Sequence, residues 1–544
     1  MNDRERRVRR RESVGPNPRR VLVGSVFLFL ALGQLAAQGA DPHIDLHVNP
    51  RNGNDSNNGS SGSPFRTMNR ALQFAYDTNQ IGPPVLPIQR IFVHYVGENW
   101  PVAPVGFGGS EDDGWTMDGE PPRGPFPLRL VEDVDVIGVA GASSGLRPII
   151  RIDEFSAPKA YGDVLDDQWN ANEPKAYLQA ATDCRVENLR LLGDLYTKGK
   201  ADDRVVGIYA RDATGLSIAD CKIVDLYDGI CLEAKVVGGA QNVVEASISD
   251  CEITDHFPVV PIGQEAGHAG LWLIGPGIHE VDVYDTLFAW NHDAIETEGK
   301  VNAPSGLHTD TCLSVLSSIF QDNENGLEVV GDGCLSFEVL SCQFSRNHNQ
   351  ESGTPKDITT STAAIAMRGG AIVTGRVRDS TFENNAYSVF WAPDPGAVSC
   401  SVPPCWGGSP PTASVLDLGA DASPGGNTLL PYSFLPPYDQ EDPFRVHVFH
   451  AAKEPLPGEL LAEDILAAEN TWIPFNQNAN AEGCYTGSIE AGPSGINVID
   501  YGPQLKWPPG PDFGQGEERN YAIRYGAVTE GHAIDFGDQC PQNP

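Results

Sequence analysis

The stretch DTLFAWNHDAIETE at 285–298 is one of six segments that fall on a common frame, and that frame decides the fold. The others are DCKIVDLYDGICLE (220–233), DCEITDH (250–256), SSIFQDNENGLEVV (317–330), SCQFSRNH (341–348) and DSTFENNAYSVFWA (379–392). The frame starts at Cys221, Cys251, Thr286, Ser318, Cys342 and Ser380. Two residues on, each copy carries an apolar side chain, namely Ile223, Ile253, Phe288, Phe320, Phe344 and Phe382. Five residues on, four copies carry Asn: Asn291, Asn323, Asn347 and Asn385. Amides stacked at strand spacing, about 4.8 Å, can bond one another and the turn backbone, as a sharp bend on every coil requires.

A small residue follows at the eighth position (Gly229, Ala294, Gly326, Ser388), then an alternation such as Leu327/Glu328/Val329. Alternation of that kind describes a strand with one buried face. Successive starts are separated by 30, 35, 32, 24 and 38 residues. Variable length at constant phase means loops inserted at one turn of a solenoid, the longest near 255–268 and 347–362. A β-sandwich with uneven strands would not keep an Asn column in register.

On these residues the chain resembles the pectate-lyase-like right-handed parallel β-helix superfamily, and the resemblance covers about residues 44–420. The opening segment HVNPRNGNDSNNGSSGSPFRTMNRALQFA (47–75) resembles the start of exported β-helix proteins whose first strand ends in Pro-x-Gly-x-Asp and runs through Pro-Phe-x-Thr into a helix. Pro50, Gly53, Asp55, Gly59, Pro64, Phe65 and Thr67 carry that pattern. Met68, Ala71, Leu72 and Ala75 have helical spacing, so the helix can lay an apolar stripe over the open end of the solenoid. The expected fold is all-β, a right-handed parallel β-helix with an N-terminal capping helix and a small C-terminal β-rich cap. Ile91–Val96 and Ile149–Ile152 are expected as early coils.

The expected division is a signal peptide over 1–39, the β-helix over 40–440, and a C-terminal cap or small domain over 441–544. Residues 1–20 hold eight Arg, Val21–Leu32 is an apolar run, and Ala37-Gln38-Gly39 is a small-x-small cleavage site. The run is short for a membrane span, so the mature chain is expected outside the cytoplasm: secreted, periplasmic or at the cell surface. In the C-terminal region a helix is expected at roughly 458–468, rich in Leu, Ala and Glu.

The chain has 37 basic and 73 acidic side chains; without residues 1–40 the balance is 29 against 70, or −41. Such charge argues against nucleic acid and anionic membranes as partners. It repels acidic polysaccharide unless a cation such as Ca2+ bridges it, which leaves a neutral glycan or Ca2+ as the natural inference. The same acidity also serves solubility. A polysaccharide partner and a monomer are expected, and the alternative is a noncatalytic surface or matrix protein that uses the solenoid as a rigid adhesive rod. Eleven Cys in an exported chain imply disulfides and at least one unpaired thiol or intermolecular bond. Cys400 and Cys405 could close a local loop, and Cys312 with Cys334 and Cys484 with Cys540 are further candidate pairs.

The tenth position of the frame points outward and reads Cys231, Trp272, Glu296, Glu328, Ala366 and Phe390. Glu296 and Glu328 on neighbouring coils would stand near the separation of a retaining glycosidase pair, and like charges so close would raise one pKa. The alternative is a solvated acidic face. At the seventh position stand Asp228 and Asp293, with His268 at or beside it on the coil between. YDGICL (227–232) and GHAGLWLIG (267–275) are similar to segments of polygalacturonase-type hydrolases. That resemblance implies only a location, because Asn291-His292-Asp293 supplies one Asp where the family has an adjacent pair and no Arg-Ile-Lys follows. Candidate catalytic residues are therefore Glu296, Glu328, Asp293, Asp228 and His268; Trp272, Phe390, Arg368 and Lys300 are candidate substrate contacts. Lys300 and Arg368 would also be the bases of a β-elimination lyase. Glu111-Asp112-Asp113 with Asp118, and Asp163 with Asp166-Asp167, could hold Ca2+ but follow no EF-hand loop; Asn54-x-Ser56-x-Asn58-Gly59 has that loop's alternation without its charge, solvated loops are the alternative for all three, and no metal ligands are assigned.

Overall fold

The computed structural model describes residues 43–80, 86–97, 128–142, 145–151, 175–193, 205–256, 268–300, 306–331, 333–347, 362–369, 372–385, 387–392, 400, 403–411, 414–419 and 425–430, with further strands as far as 535. Three parallel sheets of 13, 10 and 11 strands carry almost all of it, and the chain visits each once per coil. Leu216–Ala219 lies in the 13-stranded sheet, Lys222–Val224 in the 10-stranded sheet and Asp228–Glu233 in the 11-stranded sheet. The chain then returns to the first sheet at Val243–Ser249, paired in register with the coil before it. This is a right-handed parallel β-helix, as the frame implied.

Side-chain chemistry explains the coil. Ile223, Ile253, Phe288, Phe320, Phe344 and Phe382 are all buried in the shared core. The four Phe rings stack with centroids 5.3, 4.5 and 5.0 Å apart and planes within 9°. Asn291, Asn323, Asn347 and Asn385 form the expected ladder, each amide donating to the next side-chain oxygen at 3.0, 3.0 and 2.8 Å. Their second N–H groups reach the carbonyls of Ile253, Phe288, Phe320 and Phe344. The buried turn backbone is thus satisfied without water. At the eighth position the two glycines have a steric cause: a Cβ on Gly229 or Gly326 would stand 2.4 Å from the carbonyl oxygen of Gly270 or Ala364.

Two corners of each coil take left-handed backbone. Asp220, Asp250, Asp285, Ser317, Ser341 and Asp379 form one row of positive φ, and Asp225, Asp255, Trp290, Asp322, Arg346 and Asn384 the other. Asp and Asn dominate because they tolerate this conformation best among residues with a Cβ.

The helix α1, Met68–Gln80, caps the first coil with Met68, Ala71, Leu72 and Ala75 all buried. Asp55 fixes its start by accepting the N–H groups of Arg66 and Thr67 at 2.8 and 2.9 Å. Early coils run at Ile88–His94 and Ile149–Arg151, close to where the sequence put them. No helix among the described residues is long and apolar enough to cross a membrane.

Two expectations are corrected. The segment 458–468 holds the strand Ala462–Ala467, paired parallel with Ser414–Gly419, where a helix was expected. An open sheet edge supplies ladder partners along a whole strand, which outweighs the small helix propensities of Leu, Ala and Glu. The disulfides are Cys312–Cys405 and Cys334–Cys400, with Cα atoms 5.1 and 5.6 Å apart, in place of Cys312–Cys334 and a local Cys400–Cys405 loop. Cys312 pairs across the ladder with Ser336 and Cys334 with Asp310, so their bonds are free to run outward to the 400–405 segment. Cys184, Cys221, Cys231, Cys251 and Cys342 are buried free thiols.

Strands at Val448–His450, Ala527–Thr529 and Ile534–Asp535 continue the solenoid sheets beyond residue 440, while Val498–Asp500 and Tyr521–Ile523 form a separate antiparallel pair. Residues 1–42, the Cys484 and Cys540 pair, the acidic clusters at 111–118 and 163–167, and most of the inserts at 255–268 and 347–362 lie outside the described residues.

Candidate functional site

The 11-stranded sheet pairs Cys231, Trp272, Glu296, Glu328, Ala366 and Phe390 in one unbroken outward row. Their inward neighbours Ile230, Leu271, Ile295, Leu327, Ile365 and Val389 fill the core. Because side chains alternate across a strand, packing those apolar residues inward forces the two carboxylates outward together. Glu296 and Glu328 are nonetheless 6% and 5% exposed, so the solvated acidic face is not what forms.

The row before them adds charge. Asp293 pairs with Ala269 and Asn325, and His268 stands one residue ahead of Ala269, beside the Asp228 and Asp293 positions. His268 bridges two carboxylates, with Nδ1 3.1 Å from Asp228 Oδ1 and Nε2 2.8 Å from Glu296 Oε2. Asp228 Oδ1 also accepts the backbone N–H of Ala269 at 2.9 Å. One coil on, His292 repeats the arrangement: Nδ1 is 2.6 Å from Asp293 Oδ2 and Nε2 3.4 Å from Glu324 Oε2. Asp293 Oδ1 accepts from Asn325 Nδ2 at 2.8 Å, and Asn325 Oδ1 accepts the N–H of Ala363 at 2.9 Å. The carboxylates of Asp293, Glu296 and Glu328 offer oxygens that all lie within 4.8 Å of one another.

The environment pulls these groups apart in acidity. Burial raises the Glu296 carboxyl, against the opposing pull of His268. Burial by itself would raise Asp293 too, but the His292 imidazolium, which also hydrogen-bonds it, outweighs that and holds Asp293 well below the usual carboxylate range. Burial disfavours the charged form of both imidazoles, yet Asp228 and Glu296 push His268 up to about 12, and Asp293 and Glu324 push His292 up to about 10. Both rings therefore carry a proton at neutral pH.

The remaining candidates are placed differently. Trp272 is half-buried and meets the His268 ring edge-on, with centroids 4.8 Å apart. Phe390 continues the row but has no exposed surface and packs beside Tyr387. Lys300 pairs with Glu298 at 3.2 Å, and Glu298 stands two residues beyond Glu296 on the same strand. Arg368 pairs on the ladder with Val330, which pairs in turn with Glu298. Upstream, Glu233 gathers Tyr209, Arg211 and Lys235, with Arg211 Nε at 3.0 Å and Lys235 Nζ at 3.4 Å.

Sequence reasoning missed Glu324 and the role of His292. The signal was in the sixth position of the frame, where Tyr227, His268, His292, Glu324 and Thr362 precede the aligned strands. Among the described residues, Asp293, Glu296 and Glu328 form the oxygen-only set that could hold a cation such as Ca2+. A second cluster, His308, Asp310 and Cys334, is spoiled as a metal site because the Cys334 sulfur is spent in a disulfide.

No protein-family model matches the sequence, and no curated protein matches it significantly. Among solved structures, a rhamnogalacturonan lyase is similar at 10% identity and a TM-score of 0.40, over 77% of this chain and 87% of that one. A GH136 lacto-N-biosidase from Eubacterium ramulus is similar at 10% identity and 0.40, over 78% and 68%. An Azotobacter vinelandii mannuronan C-5 epimerase A-module is similar at 11% identity and 0.30, over 67% and 89%. The fold stands on this chain's own strand pairing, independently of these likenesses.

Proposed function

We propose that this is an exported polysaccharide-binding β-helix protein that hydrolyses a glycosidic bond, with Glu296 as general acid and Glu328 as nucleophile. The observation that carries the reading is the placement of two buried carboxylates directly opposite each other on adjacent parallel strands, with oxygens within 4.8 Å. A retaining glycosidase needs its pair about 5–5.5 Å apart. Burial favours a proton on Glu296, as an acid requires.

Each flanking group then has a task. Asp293, ionised and fixed by His292 and Asn325, keeps negative charge beside the pair and supports cationic charge developing on the sugar. His268, anchored by Asp228, orients Glu296. Trp272 lies next to Glu296 in the row and offers an aromatic wall. Two disulfides suit an oxidising compartment, in keeping with export.

Lyase chemistry is less well supported, since Lys300 is paired with Glu298 and the acidic surface opposes a uronate chain. An adhesive rod would have no use for buried, unequally acidic carboxylates. Reducing-end release and unsaturated-product absorbance across neutral and acidic polysaccharides, with Ca2+ or chelator, test the reading. Hydrolysis that falls about 10²–10⁴-fold in both Glu296→Gln and Glu328→Gln supports it. Ultraviolet-absorbing product, or binding without turnover on every glycan, sinks it.

A further inference from the structure

The left-handed corner on the Glu296 coil carries a side chain that neither backbone nor core asks for. At the equivalent corner, φ is 61° at Asp225, 65° at Asp255, 56° at Asp322, 57° at Arg346 and 59° at Asn384; on this coil it is 60°, at Trp290. The conformation is set by the coil and not by the residue. The corner N–H groups of Asp225, Asp255, Trp290, Asp322 and Arg346 also donate to the next coil, Trp290 to Gln321 O at 3.3 Å just as Asp255 donates to Ala289 O at 3.0 Å. A bulky ring suits a left-handed backbone poorly, and Asp or Asn suits it well.

The ring is not recovered by packing. Trp290 is 47% exposed, whereas Phe288, two residues earlier, is fully buried in the ring stack. Its position is what distinguishes it. His292, two residues on, reaches Asp293 and Glu324, and the strand that follows carries Glu296. Trp290 thus stands at the leading edge of the strand that bears the proposed acid. A strained, exposed residue beside a functional cluster is where a function is to be sought.

We propose that Trp290 is a sugar-stacking platform, binding a neutral pyranose unit of the glycan at the edge of the Glu296 strand. The inference rests on the reading of this face as a polysaccharide site and adds a subsite and a substrate class to it. A pyranose presents one face of C–H groups, and an exposed indole offers a flat apolar surface of matching size. The neighbouring corner residue Asp255, together with the acidic surplus of the chain, disfavours a uronate there.

The test is calorimetric titration of neutral and uronate oligosaccharides against wild type, Trp290→Asn and Trp290→Phe, with the melting temperature of each. Trp290→Asn is expected to bind neutral oligosaccharide several-fold to about tenfold more weakly, the size of one aromatic contact. The same variant is expected to melt higher, because Asn fits the corner better. Trp290→Phe should keep most of the affinity. Unchanged neutral-sugar affinity in Trp290→Asn overturns the platform, and a lower melting temperature shows that the ring is structural. Loss confined to uronates overturns the substrate class. Wild type that binds no glycan fails the polysaccharide reading, and the platform with it.

Discussion

His268 Nε2 lies 2.8 Å from Glu296 Oε2, and the same ring is anchored through Nδ1 to Asp228. A protonated imidazole in that place favours the ionised form of Glu296 and partly cancels what burial does to it. Removing the imidazolium by His268→Asn should therefore raise the Glu296 pKa further. Carbon-13 detected titration of labelled Glu side chains reads this directly. A Glu296 that titrates lower in the variant than in wild type would show that the ring does not act on it electrostatically.

The two imidazoles also give stability a definite pH slope. Both have folded pKa values raised far above the ordinary 6.5, His292 to about 10 and His268 to about 12. Between pH 7 and 11 the folded chain holds protons that the unfolded chain has released, so stability falls as pH rises. The contribution is complete below about pH 6.5 and disappears as pH passes through the folded values. Denaturant unfolding at stepped pH should show the decline, and His268→Asn with His292→Asn should flatten it. An equally steep decline in the double variant would assign the slope to other groups.

The Asn ladder predicts a positional pattern of stability. Asn323 accepts from Asn291 and donates to Asn347, so Asn323→Ala leaves buried partners on both sides. The cost expected is about 1–3 kcal/mol, the penalty for stranding buried polar groups. Asn385 bonds Asn347 and Phe344 O, and its replacement should cost less if loss of the downstream partner is what matters. Urea midpoints for the two variants at equal m-value decide it.

Disulfide mapping offers a sharp check on the sheet register. Non-reducing digestion should link the peptide of Cys312 to that of Cys405, and Cys334 to Cys400. Recovery of Cys312–Cys334 instead would place the 400–405 segment elsewhere.

How much of this was legible in sequence follows from which forces are local. Phe320 and Asn323 recur at fixed offsets because every coil poses the same packing problem, so pattern alone gave the inward row, the ladder and the Glu296 and Glu328 register. Pairings that depend on a loop folding back, such as Cys405 onto Cys312, leave no periodic trace. His292 and Glu324 were passed over because they stand just before the strand, where attention to alternation does not reach. The segment around Ala462–Ala467 misled because its helix-forming composition is weaker than the demand of a waiting sheet edge.

The disulfides have a mechanical consequence. A solenoid unravels from its ends, one rung at a time, since each rung is held mainly by its neighbours. Cys312–Cys405 and Cys334–Cys400 reach back across 93 and 66 residues of chain to two successive rungs of the 13-stranded sheet. Peeling from the C-terminal side must stop at those rivets. The coils bearing Glu296 and Glu328 lie on the sheltered side, so damage or proteolysis of the distal rungs can proceed without loosening the face where the carboxylates meet.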